Sequence, residues 1–154
     1  MKQLRVYLDT SVVGGCFDEE FEHWSNALVS DFRTGRCLPV VSDLVGAEVD
    51  VAPIQVREKF TELLALGAEL LSISREALDL AVAYSQHGIL PPRFRNDMLH
   101  IALATVANVD VLVSWNFKHI VRLEKIRLYS AVNLEMGYKP IEIYSPREVA
   151  SNDD

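Results

Sequence analysis

The sequence has little cysteine and no apolar run long enough to cross a membrane. Its two cysteines, Cys16 and Cys37, match no zinc-ligand spacing and are too few for a disulfide framework, so both are expected to be small buried side chains. The most apolar run, residues 101–113, is interrupted by polar side chains. A strand pattern begins at Leu4, which leaves no room for a signal peptide. We therefore expect a cytoplasmic protein without a membrane span.

An excess of basic residues is also missing. The formal net charge is −7, from 15 Lys and Arg against 22 Asp and Glu. This argues against a broad surface that coats nucleic acid, although a local basic patch remains compatible with it. A cluster of carboxylates that holds a metal ion would itself contribute part of the negative charge.

Internal repeats, low-complexity tracts and Gly/Ser-rich linkers are absent, so residues 1–154 are expected to form one domain. Apolar residues make up 49% of the chain and charged residues 24%. A chain of this length and composition can bury a substantial hydrophobic core.

Short apolar runs alternate with longer segments of helical periodicity. Near-continuously apolar strands separated by helices predict a mostly parallel sheet covered on both faces, which is a three-layer α/β/α sandwich. Ser42 and Ser74 are predicted helix caps. The predicted strands cover residues 4–8, 37–41, 70–73, 111–114 and 141–144, and the predicted helices residues 22–33, 43 onward, 53–66, 74–88 and 97–107.

Asp9 directly follows the first predicted strand, and Thr10 and Ser11 come after it. In an open α/β sheet, ligands bind beyond the carboxyl ends of the strands. We therefore expect the Asp9 carboxylate to face that crevice. The alternative is a structural role as the cap of the following turn.

Glu48 lies in the helix predicted from Asp43. There Leu44, Val45 and Val51 share an apolar face at spacings of three and four, and Glu48 falls in the middle of it. An ionised carboxylate in such a place needs a cation to compensate it. A slightly rotated helix would instead leave Glu48 in solvent.

Asp97 is predicted to open the most buried helix, where the helix macrodipole alone would favour an acid. His100, one turn later, could hydrogen-bond a carboxylate or a phosphate. Asn116 follows the fourth predicted strand and would reach the same edge as Asp9. Its amide oxygen could coordinate a cation or orient water, or Asn116 could simply be a turn residue.

Three carboxylates at one edge of the sheet would repel one another unless a divalent cation held them. Ligands that are all oxygen, without a Cys or His cluster, favour Mg²⁺ or Mn²⁺ over zinc. Such an ion commonly takes substrate phosphates as further ligands and activates a water nucleophile.

Basic residues flank these positions and could hold a phosphate backbone, although a short charge run can equally be a solvated helix face. Aromatic residues for base stacking show no visible organisation in the sequence. The basic residues are Arg93 and Arg95 before Asp97, and Lys118, His119, Arg122, Lys125 and Arg127 after Asn116.

Four segments together resemble the motifs of PIN-domain ribonucleases. Residues 8–11 (LDTS) resemble the opening motif, and residues 42–48 (SDLVGAE) are similar to the second, which ends in a helical Glu. Residues 96–104 (NDMLHIALA) resemble the third, in which an Asp opens an Ala-rich helix. Residues 114–120 (SWNFKHI) look like a variant fourth motif. The order and spacing of the four agree over most of the chain.

The resemblance implies a PIN-like α/β/α fold, Mg²⁺- or Mn²⁺-dependent cleavage of single-stranded RNA, and frequent homodimerisation. It also implies a possible role as the toxin of a toxin–antitoxin pair, inhibited by a small antitoxin protein. By position in the motifs, the implied catalytic residues are Asp9, Glu48, Asp97 and Asn116, the first three also being metal ligands, and the implied supporting or substrate-binding residues are Thr10, Ser11, His100, Lys118 and His119.

The fourth motif departs from the pattern of many relatives. An acid commonly stands where this chain has Asn116, and often another where it has Lys118. Metal binding would then be weaker or limited to one ion. The alternative function is a weak or inactive PIN-like domain that binds RNA or a protein. Phosphoryl transfer through an aspartyl-phosphate at Asp9 is a further alternative, but that chemistry generally uses a second acid where Ser11 stands.

Overall fold

A five-stranded sheet with all strands parallel forms the centre of the molecule. The structure is a computed structural model and describes residues 2–151. The spatial order of the strands is β3-β2-β1-β4-β5, so β1 lies in the middle between β2 and β4. The strands are β1 (Leu4–Leu8), β2 (Cys37–Ser42), β3 (Glu69–Leu71), β4 (Val111–Val113) and β5 (Ile143–Tyr144).

Helices connect the strands and form two contacting groups. One group contains α5, α6 and α7, and the other contains α1 to α4 and α8. This confirms the predicted three-layer α/β/α class. The helices are α1 (Thr10–Gly15), α2 (Glu22–Arg33), α3 (Asp43–Val49), α4 (Ile54–Ala65), α5 (Arg75–Gln86), α6 (Arg95–Val106), α7 (Leu123–Glu135) and α8 (Pro146–Val149), with a 3₁₀ turn at Pro92–Phe94.

The strongest local signals predict the observed limits of two elements and the observed caps of two helices. Strand β1 and helix α2 have the predicted limits. The hydroxyls of Ser42 and Ser74 accept hydrogen bonds from the first turns of α3 and α5, as N-caps do. Helices α1, α7 and α8 were not predicted. Helix α1 is short and ends in Gly14 and Gly15, which are poor helix formers.

The core lies on both sides of the sheet. Tyr7 and Leu8 of β1 and Leu112 of β4 are fully buried, as expected for central parallel strands. The middle of α6 is buried all round, which confirms the prediction from its apolar composition. Cys16 and Cys37 are buried and free, also as predicted.

Within residues 2–151, no helix is long and apolar enough to cross a membrane. The predicted domain runs over residues 1–154, and its residue 1 and residues 152–154 lie outside the described part.

Candidate active site

The carboxyl ends of β1, β2 and β4 meet at one edge of the sheet, because the three strands are parallel neighbours. Asp9 follows β1, Ser114 follows β4, and β2 leads directly into α3, which carries Glu48. Helix α6 brings Asp97 and His100 to the same region. The predicted crevice therefore contains acids from three separate segments.

Asp9 is both a crevice residue and a helix cap. Its Oδ1 accepts from Ser11 Oγ at 2.6 Å and from the Val12 N–H at 3.3 Å, and its Oδ2 accepts from Ser114 Oγ at 2.5 Å. The side chain is only 4% exposed. Burial raises the pKa of Asp9, and nearby His100 with the hydroxyls of Ser11 and Ser114 offsets this only in part.

Glu48 is half-buried and held by two side chains. Its Oε1 accepts from Thr10 Oγ1 at 2.7 Å and from His100 Nε2 at 2.7 Å. Burial alone would raise the pKa of Glu48, but the hydrogen bonds from His100 and Thr10 outweigh it and hold the pKa below its ordinary value. The predicted apolar face around Glu48 is wrong, since α3 ends at Val49 and Val51 is 90% exposed.

His100 is oriented by a buried tyrosine. The Tyr7 hydroxyl lies 2.7 Å from His100 Nδ1 and 2.8 Å from Ser42 Oγ. Burial raises the pKa of Tyr7, so the phenol stays neutral and keeps its proton. Ser42, Tyr7, His100 and Glu48 thus form a chain of hydrogen-bond contacts that runs from the end of β2 to α3.

Asp97 is the third residue of α6, which begins at Arg95, so the prediction that Asp97 opens the helix is wrong by two residues. Its Oδ2 accepts from His119 Nδ1 at 2.8 Å and lies 3.4 Å from Asn116 Nδ2. The His119 ring packs against Phe94, with ring centroids 4.2 Å apart. His119 therefore positions Asp97.

Asn116 caps a turn. Its Oδ1 accepts from the backbone N–H groups of Lys118 at 3.2 Å and His119 at 2.9 Å, so the amide oxygen is already engaged. Its own N–H donates to Ser114 Oγ at 3.0 Å. Because Ser114 also bonds Asp9 and the Asn116 amide faces Asp97, the two acids are linked through this turn. The Lys118 side chain is exposed.

The donor chemistry of the site suits a hard cation, because Asp9, Glu48 and Asp97 offer only oxygen. The arrangement is less complete. Within residues 2–151, no three His, Cys, Asp or Glu side chains converge closely enough to hold one ion. Asp9, Glu48 and Asp97 each accept hydrogen bonds from a different set of nearby side chains. Coordination by all three acids requires side-chain rotations that replace some of these hydrogen bonds.

The flanking basic residues divide between structural contacts and solvent. Lys125 Nζ donates to the Ile89 carbonyl at 2.8 Å, and Arg122 lies 3.4 Å from Glu124. Arg93 lies over the Phe94 ring at 4.7 Å, and Arg95 is exposed. The arginines and Lys118 are thus accessible to solvent, whereas the Lys125 ammonium is engaged in a hydrogen bond to the backbone.

Ser114 and Tyr7 take part in the site and were not predicted to do so. Leu8 pairs with Val113 in the sheet, so the residues that follow these two strands are neighbours. That register, had it been known, would have placed Ser114 beside Asp9. Tyr7 gives no signal in the sequence, since a tyrosine in an apolar strand is ordinary.

Comparison with known proteins supports the fold. No protein-family model matches the chain, and no curated protein matches it significantly. Among solved structures, VapBC2 from Rickettsia felis, bound to a DNA fragment from its promoter, has a TM-score of 0.60 at 16% identity, over 92% of this chain and 98% of that one. A toxin–antitoxin complex from Klebsiella pneumoniae has a TM-score of 0.60 at 15% identity, over 92% of this chain and 97% of that one.

FitAcB from Neisseria gonorrhoeae has a TM-score of 0.58 at 12% identity, over 92% of this chain and 98% of that one. Likeness over nearly the whole of both chains confirms the PIN-like fold that the four motifs predict. At these identities the likeness concerns the fold and leaves the chemistry to be argued from the site.

Proposed function

We propose that this chain is a metal-dependent ribonuclease that cleaves single-stranded RNA. One observation carries the proposal: Asp9, Glu48 and Asp97 lie at one edge of a parallel sheet. Hydrogen bonds through Ser114 and Asn116 link Asp9 to Asp97, and Thr10, the residue after Asp9, donates to Glu48. Ligands of α/β sheets bind at this edge. Three acids at this edge with exposed cations beside them suit a phosphate substrate that arrives with a divalent ion.

The chain's own residues position the acids. Asp9, Glu48 and Asp97 would hold Mg²⁺ or Mn²⁺, which would supply Lewis acidity and an activated water when bound. Ser11 and Ser114 each donate a hydrogen bond to Asp9, one to each carboxylate oxygen, and so fix its side chain.

Two histidines support the other acids. His100 donates to Glu48, and His119 lies within hydrogen-bonding distance of Asp97. Thr10 adds a second donor to Glu48. The exposed guanidinium groups of Arg93 and Arg95 are available to neighbouring phosphates.

A non-cleaving PIN-like domain that binds RNA or a protein is the second candidate. Two observations favour it: the Asn116 oxygen is occupied by backbone N–H groups, and no three acids converge on one point within residues 2–151. Activity measurements decide between the candidates.

The likeness to solved toxin–antitoxin structures supports the proposal of an antitoxin partner. We propose that the chain is the toxin of such a pair, with RNA as its substrate and a small antitoxin protein as its inhibitor. Homodimerisation and a cytoplasmic location stay predictions.

Cleavage assays on single-stranded RNA test the proposed function. We expect cleavage with Mn²⁺ or Mg²⁺ and none with EDTA. Asp9→Asn, Glu48→Gln and Asp97→Asn should each lower the rate about 100-fold or more, because each removes a charge from the reacting assembly. Asp79→Asn is the matched control, since Asp79 is an exposed acid on α5 that pairs with Arg75 at 3.1 Å.

The control variant should cleave at the wild-type rate. Full activity in EDTA, or equal activity in Asp9→Asn and Asp79→Asn, would contradict a carboxylate-held metal. A wild-type protein that binds RNA and never cleaves it would establish the second candidate.

A further inference from the structure

Four aromatic side chains gather beside the candidate active site. They come from two separate segments, Phe21 and Trp24 near the start of α2, and Trp115 and Phe117 on the turn after β4. The sequence shows no such organisation, because the segments are about ninety residues apart and meet only in the fold. The four rings line a cleft of about 630 Å³, together with Glu20, Ser145, Arg147 and Glu148.

The rings leave one open aromatic surface. Phe21 stacks on Trp115, with centroids 4.4 Å apart and planes at 17°. Phe117 stands edge-on to Trp115, with centroids 6.1 Å apart and planes at 61°. Trp115 is buried, whereas Phe117 is 52% exposed. An exposed ring beside a fixed stacked pair is a surface on which another flat ring can pack.

Trp115 is held rigidly and is tied to the acids. Its Nε1 donates to Ser25 Oγ at 2.8 Å, and its backbone N–H donates to Ser11 Oγ at 2.9 Å. The same Ser11 hydroxyl donates to Asp9. Two hydrogen bonds through Ser11 therefore connect Trp115, and with it the aromatic cleft, to the Asp9 carboxylate.

The charges around the cleft do not favour a phosphate chain. Among the residues of the described part of the chain that line it, Arg147 is the one cation, set against Glu20 and Glu148. Glu148 is engaged by the backbone N–H and the hydroxyl of Ser145, both at 2.8 Å. With a formal net charge of −7, the chain exerts little long-range attraction on RNA. Stacking is thus the interaction that this cleft can offer.

We propose that the aromatic cleft binds an unpaired base of single-stranded RNA, next to the phosphodiester at the carboxylate site. The inference rests on the proposed ribonuclease function. In it, the aromatic cleft binds one base of the RNA that the carboxylate site cleaves. Proteins recognise single-stranded RNA by packing unpaired bases on aromatic rings. Such stacking tolerates any base, because every base has a flat π-face.

Binding without metal tests the cleft separately from cleavage. A short single-stranded RNA is titrated in EDTA while the intrinsic fluorescence of Trp24 and Trp115 is recorded, since these are the chain's two tryptophans and both line the cleft. We expect quenching. Phe117→Ala should weaken binding about fivefold or more, as loss of one stacking ring does, and Phe117→Tyr should restore it.

Phe17→Ala is the matched control, because Phe17 is 43% exposed, lies outside the cleft and faces the Lys59 ammonium at 5.9 Å. It should bind like the wild type. The same RNA without its bases, and a duplex of equal charge, should bind more weakly than the single strand.

The outcomes separate the two proposals. Quenching that depends on Phe117 without any cleavage in Mn²⁺ supports the cleft and overturns the nuclease. Cleavage by the wild type with equal RNA affinity in Phe117→Ala and Phe17→Ala overturns the cleft alone. If single-stranded RNA leaves the fluorescence of the wild type unchanged, the proposal that the cleft binds a base is wrong. A protein partner is then the remaining candidate for the cleft.

Discussion

Gly15 of α1 faces Trp115, on the turn after β4. A Cβ atom placed there would lie 2.7 Å from Trp115 Nε1 and 2.7 Å from Ser25 Oγ, well inside normal contact distances. Both atoms belong to a buried hydrogen bond. Because Gly15 has no side chain, the Trp115 indole can pack against α1. This packing helps to hold Trp115 in place beside the candidate site.

Gly15→Ala should destabilise the protein by about 1–3 kcal/mol, because the added methyl group forces the indole and the hydroxyl apart. The neighbouring Gly14→Ala is a matched control, since no atom lies within 4 Å of a Cβ at that position. That change should be neutral or slightly stabilising, as alanine favours helix. Urea unfolding of the two variants gives both values, and equal stabilities would refute the packing argument.

Asn116 shows how one residue's role depends on its neighbours. Its chemistry allows metal coordination, water orientation or turn formation. In the structure its oxygen accepts two backbone N–H groups, and its amide nitrogen lies toward Asp97. Its oxygen thus caps a turn that carries His119 to Asp97, and only an amide at this position also presents a donor to Asp97.

At the scale of elements, Asp110 joins the start of β4 to β1. Its backbone N–H donates to the Arg5 carbonyl at 3.0 Å, and its Oδ2 accepts from the Arg5 N–H at 2.8 Å. Lys2 Nζ lies 3.3 Å from its Oδ1. The Arg5 N–H, with Lys2 nearby, lowers the pKa of Asp110 below its ordinary value. The carboxylate extends the pairing of the two central strands by one residue.

Asp110→Asn should therefore lower stability at neutral pH and matter less in acid. A carboxyl whose pKa is depressed in the folded state stabilises above its unfolded pKa of about 4, and this contribution is lost as the pH falls through the folded pKa. Urea unfolding between about pH 3 and pH 7 should show the gap between wild type and variant closing at low pH. The exposed Glu19→Gln serves as the control, and a gap that widens in acid would refute the argument.

At the scale of the whole molecule, the proposed metal binding would be linked to folding. An ion that binds only the folded chain raises its stability by about 2.7 kcal/mol at 100 times its dissociation constant. Asp9 caps α1, Glu48 lies on α3 and Asp97 lies on α6. An ion bound to all three would therefore raise the free energy of unfolding of the whole domain.

Mn²⁺ should raise the melting temperature of the wild type and leave that of Asp97→Asn nearly unchanged, because the variant loses one of three charged ligands. Asp79→Asn, altered on the exposed face of α5, should shift as the wild type does. Calorimetry with and without Mn²⁺ measures all three proteins. Identical shifts in the wild type and Asp97→Asn would place the ion elsewhere.

Sequence periodicity was enough for the class of fold and for the position of Asp9 at the end of the first strand. Local spacing dictates strand β1, helix α2 and the Ser42 and Ser74 caps, because backbone pairing and capping act within a few residues. Parallel strands then carry Asp9 and the residues after β4 to a common edge without any further information.

Tertiary structure alone decided the partner of each acid and the existence of the aromatic cleft. Asp9 and Ser114 are 105 positions apart, and Glu48 and His100 are 52 positions apart. Such pairs depend on strand register and on how helices rotate against the sheet, neither of which leaves a mark in local composition. Periodicity reports which face of an element is buried, but only the packed chain decides which side chain lies opposite.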